Sequence, residues 1–134
     1  MKSVASAGLL AAVMIMGLSC GDSSASRPGD LMVRLTTPNS GADSAIVLTI
    51  TGPAGSVLTK ATAGIGLRLF QQPLTGNTTR FAVTGRLTQG AIILIIGVPD
   101  ATEVAQYSGT IEGVAQANYQ LRALPGGYAL AITR

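Results

Sequence analysis

Ala91-Ile92-Ile93-Leu94-Ile95-Ile96-Gly97-Val98 is the most apolar stretch of the chain beyond its N-terminal segment, and Pro99-Asp100 closes it. A half-exposed strand would alternate apolar and polar residues. This run does not, which predicts a central strand covered on both faces or nearly so. The period-2 geometry of a strand then sends Ile92, Leu94 and Ile96 into the core.

Outward from this run, short apolar segments recur at intervals of about ten residues, separated by turn residues, as in a β-sandwich or barrel. Leu31 to Thr36 alternates, with Leu31, Val33 and Leu35 on one face, and Pro38-Asn39-Ser40-Gly41 ends it with a turn. Ala45 to Thr51 sends Ile46, Leu48 and Ile50 inward and stops at Gly52-Pro53. Val57 to Thr62 is a weaker strand. Gly66 to Gln71 and Thr78 to Thr84 follow, the latter with Phe81 and Val83 on one face, and Thr75-Gly76-Asn77 forms the turn between them. Val104 to Ile111, Asn118 to Leu124 and Tyr128 to Thr133 complete about nine strands; no stretch after Gly29 shows helical periodicity, and a single helical turn at Ala101 to Gln106 is the alternative there. An outer-membrane barrel would need aromatic girdles and longer, strictly alternating strands. Phe70, Phe81, Tyr107, Tyr119 and Tyr128 are too few. The expected fold is an all-β antiparallel sandwich of jelly-roll or immunoglobulin-like type over residues 30–134.

Composition agrees with one such domain. The 134 residues are 47% hydrophobic and 11% charged, with 17 Gly. The low charge and the wealth of Thr, Val, Ile and Gly suit strands and turns. The basic residues are dispersed and no aromatics are interleaved with them, which argues against nucleic acid.

Met1-Lys2 followed by the apolar run Val4 to Leu18 has the layout of a secretory signal, and at about 15 residues it is short for a membrane-spanning helix. Gly17-Leu18-Ser19-Cys20 resembles the lipobox of bacterial lipoproteins, in which the cysteine is acylated and becomes the new N-terminus. Ser19 matches the small residue before the cysteine, whereas Gly17 stands where the family usually has Leu. The resemblance implies a signal peptide over residues 1–19, lipidation of Cys20, and a flexible Ser/Gly tether over residues 20–29. Ordinary cleavage after Gly17-Leu18-Ser19 is the alternative. It would leave Cys20, the only cysteine, as a free thiol in an oxidising compartment.

Asp30 to Leu35, followed by Asn39-Ser40-Gly41 and the strand from Ala45 to Thr51, is similar to the opening of cohesin-type modules, where a first strand leads through an Asn/Gly loop into a second. Phe81-Ala82-Val83-Thr84-Gly85 and Gly90 to Val98 resemble the later cohesin strands. The chain also looks like small bacterial lipoproteins that carry this pattern. A cohesin-like sandwich is the implied fold. Cohesins bind dockerin partners through one sheet face, but their partner-contact residues have no match here, so that activity is not carried over.

The chain has no His, and its one Cys is assigned to lipid. Ser-His and Cys-His nucleophile pairs and the usual zinc, copper and haem ligands are therefore missing. Ser56 to Lys60 lacks Ser-x-x-Lys spacing, and Gly64-Ile65-Gly66 is too short for a dinucleotide fingerprint. Asp30, Asp43, Asp100, Glu103 and Glu112 remain. A glycosidase needs two carboxylates roughly 5 to 10 Å apart in a cleft, and no spacing here announces such a pair. Asp100 and Glu103 share a loop that offers calcium two carboxylates, well short of the roughly 6 to 8 oxygens it takes, and a solvated turn is the simpler reading.

The expectation is a non-catalytic binding or adhesion module, lipid-anchored to the bacterial envelope, without a cofactor, and engaging a protein or polysaccharide. A structural or envelope-assembly lipoprotein is the alternative, and a carboxylate-dependent glycoside hydrolase a distant third. The partner would meet either a sheet face or the loops Pro38 to Ser44, Pro73 to Asn77 and Pro99 to Glu103.

Overall fold

A computed structural model describes residues 26–36, 43–118, 120–124 and 128–134. Among them are β1 (Gly29–Leu35), β2 (Asp43–Thr51), β3 (Lys60–Ala63), β4 (Arg68–Thr75), β5 (Thr78–Thr84), β6 (Ile92–Val98), a 3-10 helix (Ala101–Gln106), β7 (Ser108–Gln116), β8 (Leu121–Arg122) and β9 (Leu130–Thr133). They form two antiparallel sheets, ordered β3-β6-β1-β9 and β4-β5-β2-β7-β8. This is an all-β sandwich. Alternation along each strand drives the arrangement, since a sheet with one apolar face buries that face against a second sheet.

The four-stranded sheet contributes Leu31, Val33, Leu35, Leu94, Ile96 and Val98 to the core, and the five-stranded sheet Ile46, Leu48, Ile50, Phe81, Val83 and Val114. Cross-strand register aligns these side chains: Leu31 opposes Ile96, Val33 opposes Leu94, Ile46 opposes Val83, and Leu48 opposes Phe81. Tyr107 and Ala101 close one end of the sandwich, while Leu87 and Tyr128 are buried at the other.

Three details differ from the sequence reading. Ile92 is not in the core with Leu94 and Ile96: it is half-buried, and Ile93 is fully buried in its place. The cause is a bulge. Val33 pairs with Leu94 but the next residue, Arg34, pairs with Ile92, so Ile93 is an extra residue that breaks the alternation and turns Ile92 outward. Nor is β6 covered on both faces, although it is an interior strand between β1 and β3. Ile92 and Ile95 instead line a shallow apolar depression with Ala63 and Ile65. The segments expected from Val57, Val104 and Asn118 begin later and end elsewhere, at Lys60–Ala63, Ser108–Gln116 and Leu121–Arg122. Val104 belongs to the 3-10 helix, as the helical-turn alternative for Ala101 to Gln106 anticipated.

Strand direction defines two ends. β1 leaves the N-terminal segment at Gly29, and the loop before it donates to and accepts from the 3-10 helix: Ala101 N–H bonds the Arg27 carbonyl at 2.8 Å. The β4–β5 hairpin and the segment from Gly52 to Thr59 share this N-terminal end of β1. Antiparallel pairing puts the loops from Gly64 to Leu67 and from Gly85 to Ala91 at the opposite, distal end.

The loop from Gly64 is held against β6 by a 3.0 Å bond from Gly64 N–H to the Ile93 carbonyl. A Cβ at Gly64 would lie 1.9 Å from the Ile92 carbonyl oxygen. Backbone cannot yield as a side chain does. Gly64→Ala is therefore expected to destabilise the domain by about 1 to 3 kcal/mol, the usual range for overpacking. A lowered urea midpoint at unchanged slope would register it, and a midpoint equal to wild type would mean that the loop is not seated on β6.

Candidate functional site

The outer face of the five-stranded sheet carries the candidate site. An antiparallel sheet can leave one face in water, and the residues placed there are free of packing duties. On β4, Leu69 packs against the core while Arg68, Phe70 and Gln72 point the other way. β4 is an edge strand, which also explains how it accommodates Pro73. Phe70 is 60% exposed. Large aromatics are normally buried, so a phenylalanine displayed on a rigid sheet is a feature to be explained.

Register builds three rows around it. In the middle row Phe70 opposes Ala82, Ala82 opposes Val47, and Val47 opposes Gly113, which makes a flat apolar shelf of small residues beside the ring. Toward the distal end, Arg68 opposes Thr84. Ser44, Arg68, Phe70 and Thr84 line a depression of about 490 Å³ there. Toward the N-terminal end of β1, Gln72 opposes Arg80 and Arg80 opposes Thr49. Phe70, Val47, Gln72 and Arg80 line a second depression of about 230 Å³. Phe70 is the wall between the two.

This last row is wired together. Arg80 meets Glu112 through Nε at 2.9 Å and Nη2 at 3.1 Å, and its Nη1 donates to Gln72 Oε1 at 3.4 Å. Thr49 Oγ1 also donates to Glu112. Glu112 reaches this position because it is the extra residue of a bulge in β7, where Val47 pairs with Gly113 and Leu48 with Ile111. The Arg80 guanidinium, assisted by Thr49, holds the Glu112 carboxyl below its usual range, and Glu112 in turn raises Arg80. The result is a pre-organised set of donors and acceptors on β2, β4, β5 and β7.

The other carboxylates have different work. Asp43 is buried at the start of β2, where Arg122 donates to Oδ1 at 2.6 Å and Oδ2 at 2.8 Å, and the Tyr128 hydroxyl donates to Oδ2 at 2.6 Å. Asp30 pairs with Lys60 at 3.3 Å on the other sheet. Asp100 caps the 3-10 helix, its Oδ1 accepting from Thr102 N at 3.0 Å, Thr102 Oγ1 at 2.5 Å and Arg27 N at 3.3 Å. Those bonds, the Thr102 hydroxyl foremost, lower its pKa. Glu103 lies in the first turn of the same helix, and it and Asp100 thus share a loop as the sequence suggested. Among the described residues no three acidic, His or Cys side chains stand close enough to share a metal ion. Cys20 and most of the loop from Pro38 lie outside the described residues.

The chain matches no protein-family model, no curated protein and no solved structure. Its own surface is what speaks for its function. Of the loops named from sequence, Pro73 to Asn77 and Pro99 to Glu103 both sit at the N-terminal end of β1, where Asp100 and Ala101 bond Arg27. Sequence reading passed over Arg68, Phe70 and Gln72, although a signal was present. In Leu67-Arg68-Leu69-Phe70, period 2 puts Phe70 in phase with Arg68 and out of phase with both leucines, so the aromatic had to face water.

Proposed function

We propose that this is a non-catalytic binding or adhesion module, exported and lipid-anchored through Cys20, whose partner docks on the outer face of the β4-β5-β2-β7-β8 sheet. The exposed Phe70, seated between two depressions and flanked by Arg68 and Arg80, carries the reading. Exposed aromatics and arginines are the residue types that dominate binding energy at interfaces. The position of the tether favours the face over the loops at Pro73 and Pro99, because an anchored domain turns those loops toward its own membrane. Display on a short linker also raises the effective concentration of weak contacts.

The carboxylates support a non-catalytic role. A glycosidase needs a general acid, a carboxyl whose pKa is raised. Asp43, Asp100 and Glu112 all move the other way, and each is engaged by an arginine or a cap.

The test is capture from envelope extract with the full chain, comparing wild type with Phe70→Ala, alongside mass spectrometry of Cys20 in the membrane fraction. A captured macromolecule that is lost in Phe70→Ala, with acylated Cys20, is the expected result. Capture indifferent to Phe70 would favour the structural-lipoprotein reading instead, and an unmodified Cys20 would remove the anchor.

A further inference from the structure

We infer that the distal half of this face takes an anionic polysaccharide, with a sugar ring stacked on Phe70 and its acidic group paired to Arg68. This rests on the reading of the sheet face as the binding surface and names the class of ligand.

Charge comes first. The ion pairs among the described residues are Lys60–Asp30, Arg80–Glu112 and Arg122–Asp43. The two acidic side chains left over, Asp100 and Glu103, stand at the N-terminal end of β1. Arg68 is exposed at the distal end, and no ion pair among the described residues includes it. It lines a depression together with Ser44, Thr84 and Phe70. A planar fork of donors beside two hydroxyls matches a carboxylate or sulfate.

Shape separates a sugar from a peptide. Protein interfaces gather their energy in a cluster of buried apolar anchors filling pockets. Phe70 is the one exposed aromatic among the described residues, and its neighbours in the row, Ala82, Val47 and Gly113, are small and flat. A pyranose ring needs no pocket. Its C–H face carries slight positive charge and meets the negative face of an aromatic ring, while its hydroxyls reach sideways. Hydrogen-bonding groups flank the shelf on both sides, Ser44 and Thr84 on one and Gln72 and Arg80 on the other.

The experiment is affinity electrophoresis of the full chain through gels containing polygalacturonate, polyglutamate or neutral dextran. Polygalacturonate should retard the protein and dextran should not. Phe70→Ala and Arg68→Gln should each weaken the affinity about tenfold, the loss of one good contact. Both side chains are exposed, and an unchanged melting temperature would verify that the variants fold. Arg34→Gln, which removes an arginine from the outer face of the other sheet, should bind as wild type does. Equal weakening by Arg34→Gln would reduce the effect to net charge and overturn the proposal, as would absence of retardation or equal binding to polyglutamate. Phe70-dependent capture of an envelope protein without polygalacturonate binding would also overturn it, while leaving the sheet-face reading in place.

Discussion

Replacing Asp43 with Ala should destabilise the domain by about 3 kcal/mol, near the lower end of the 3 to 5 kcal/mol typical when one partner of a buried ion pair is removed. The Asp43 side chain is wholly buried, whereas Arg122 keeps 20% of its side chain exposed and can recover some hydration once the carboxylate is gone. Arg122→Met should be worse, because it leaves the buried carboxylate with Tyr128 alone. Both would appear as lowered urea midpoints. The triad joins residues far apart in the chain: Asp43 opens β2, Arg122 lies on β8, and Tyr128 leads into β9 of the other sheet. It thus ties the two sheets at the distal end, where β8 has only two residues and little packing of its own.

The same triad makes stability depend on pH. Burial opposes ionisation of Asp43, but the hydrogen bonds from Arg122 and Tyr128 and the guanidinium charge outweigh it and hold the carboxyl below its ordinary value of 3.8. A depressed carboxyl contributes stability that is complete above the ordinary value and is lost as pH falls through the depressed one. Tyr128 behaves oppositely. Burial and the adjacent Asp43 carboxylate push its hydroxyl well above 10, so its contribution is complete below pH 10 and is lost as pH rises further. Asp43→Asn should flatten the acid limb relative to wild type. An identical acid limb in the two proteins would show that other carboxylates set it.

Such long-range partnerships explain where sequence reading stops. Leu31, Val33 and Leu35, or Phe81 and Val83, declare their inward face through period 2 alone, because a strand's geometry is local. The helical turn at Ala101 to Gln106 was legible only as an alternative to a strand beginning at Val104, and the Asp100 cap that starts it went unread. Asp43 was visible only as one of several carboxylates. Its partner Arg122 lies 79 positions away, and no local pattern links them. Glu112 was equally opaque, since it meets Arg80 only through a bulge in β7. Phe70 is a different case. Its outward phase was readable, but which sheet face it would share with Arg80, Gln72 and Thr49 depended on strand order.

The bulge in β6 gives the sharpest test of the core. Strict alternation would bury Ile92, Leu94 and Ile96 and expose Ile93, whereas the extra residue opposite Val33 and Arg34 buries Ile93 and Leu94 side by side. Leu94→Ala and Ile93→Ala should each cost about 2 to 5 kcal/mol, because each removes apolar contacts and leaves a cavity that the close-packed neighbours only partly fill. Ile92→Ala should cost distinctly less. Its half-buried side chain faces the shallow depression beside Ile95 and Ile65, where water fills the vacated space without leaving a void. Three urea titrations decide the matter. If Ile92→Ala proved as damaging as Leu94→Ala while Ile93→Ala was tolerated, β6 would follow plain alternation. The bulge, and the outward turn it gives Ile92, would then be wrong.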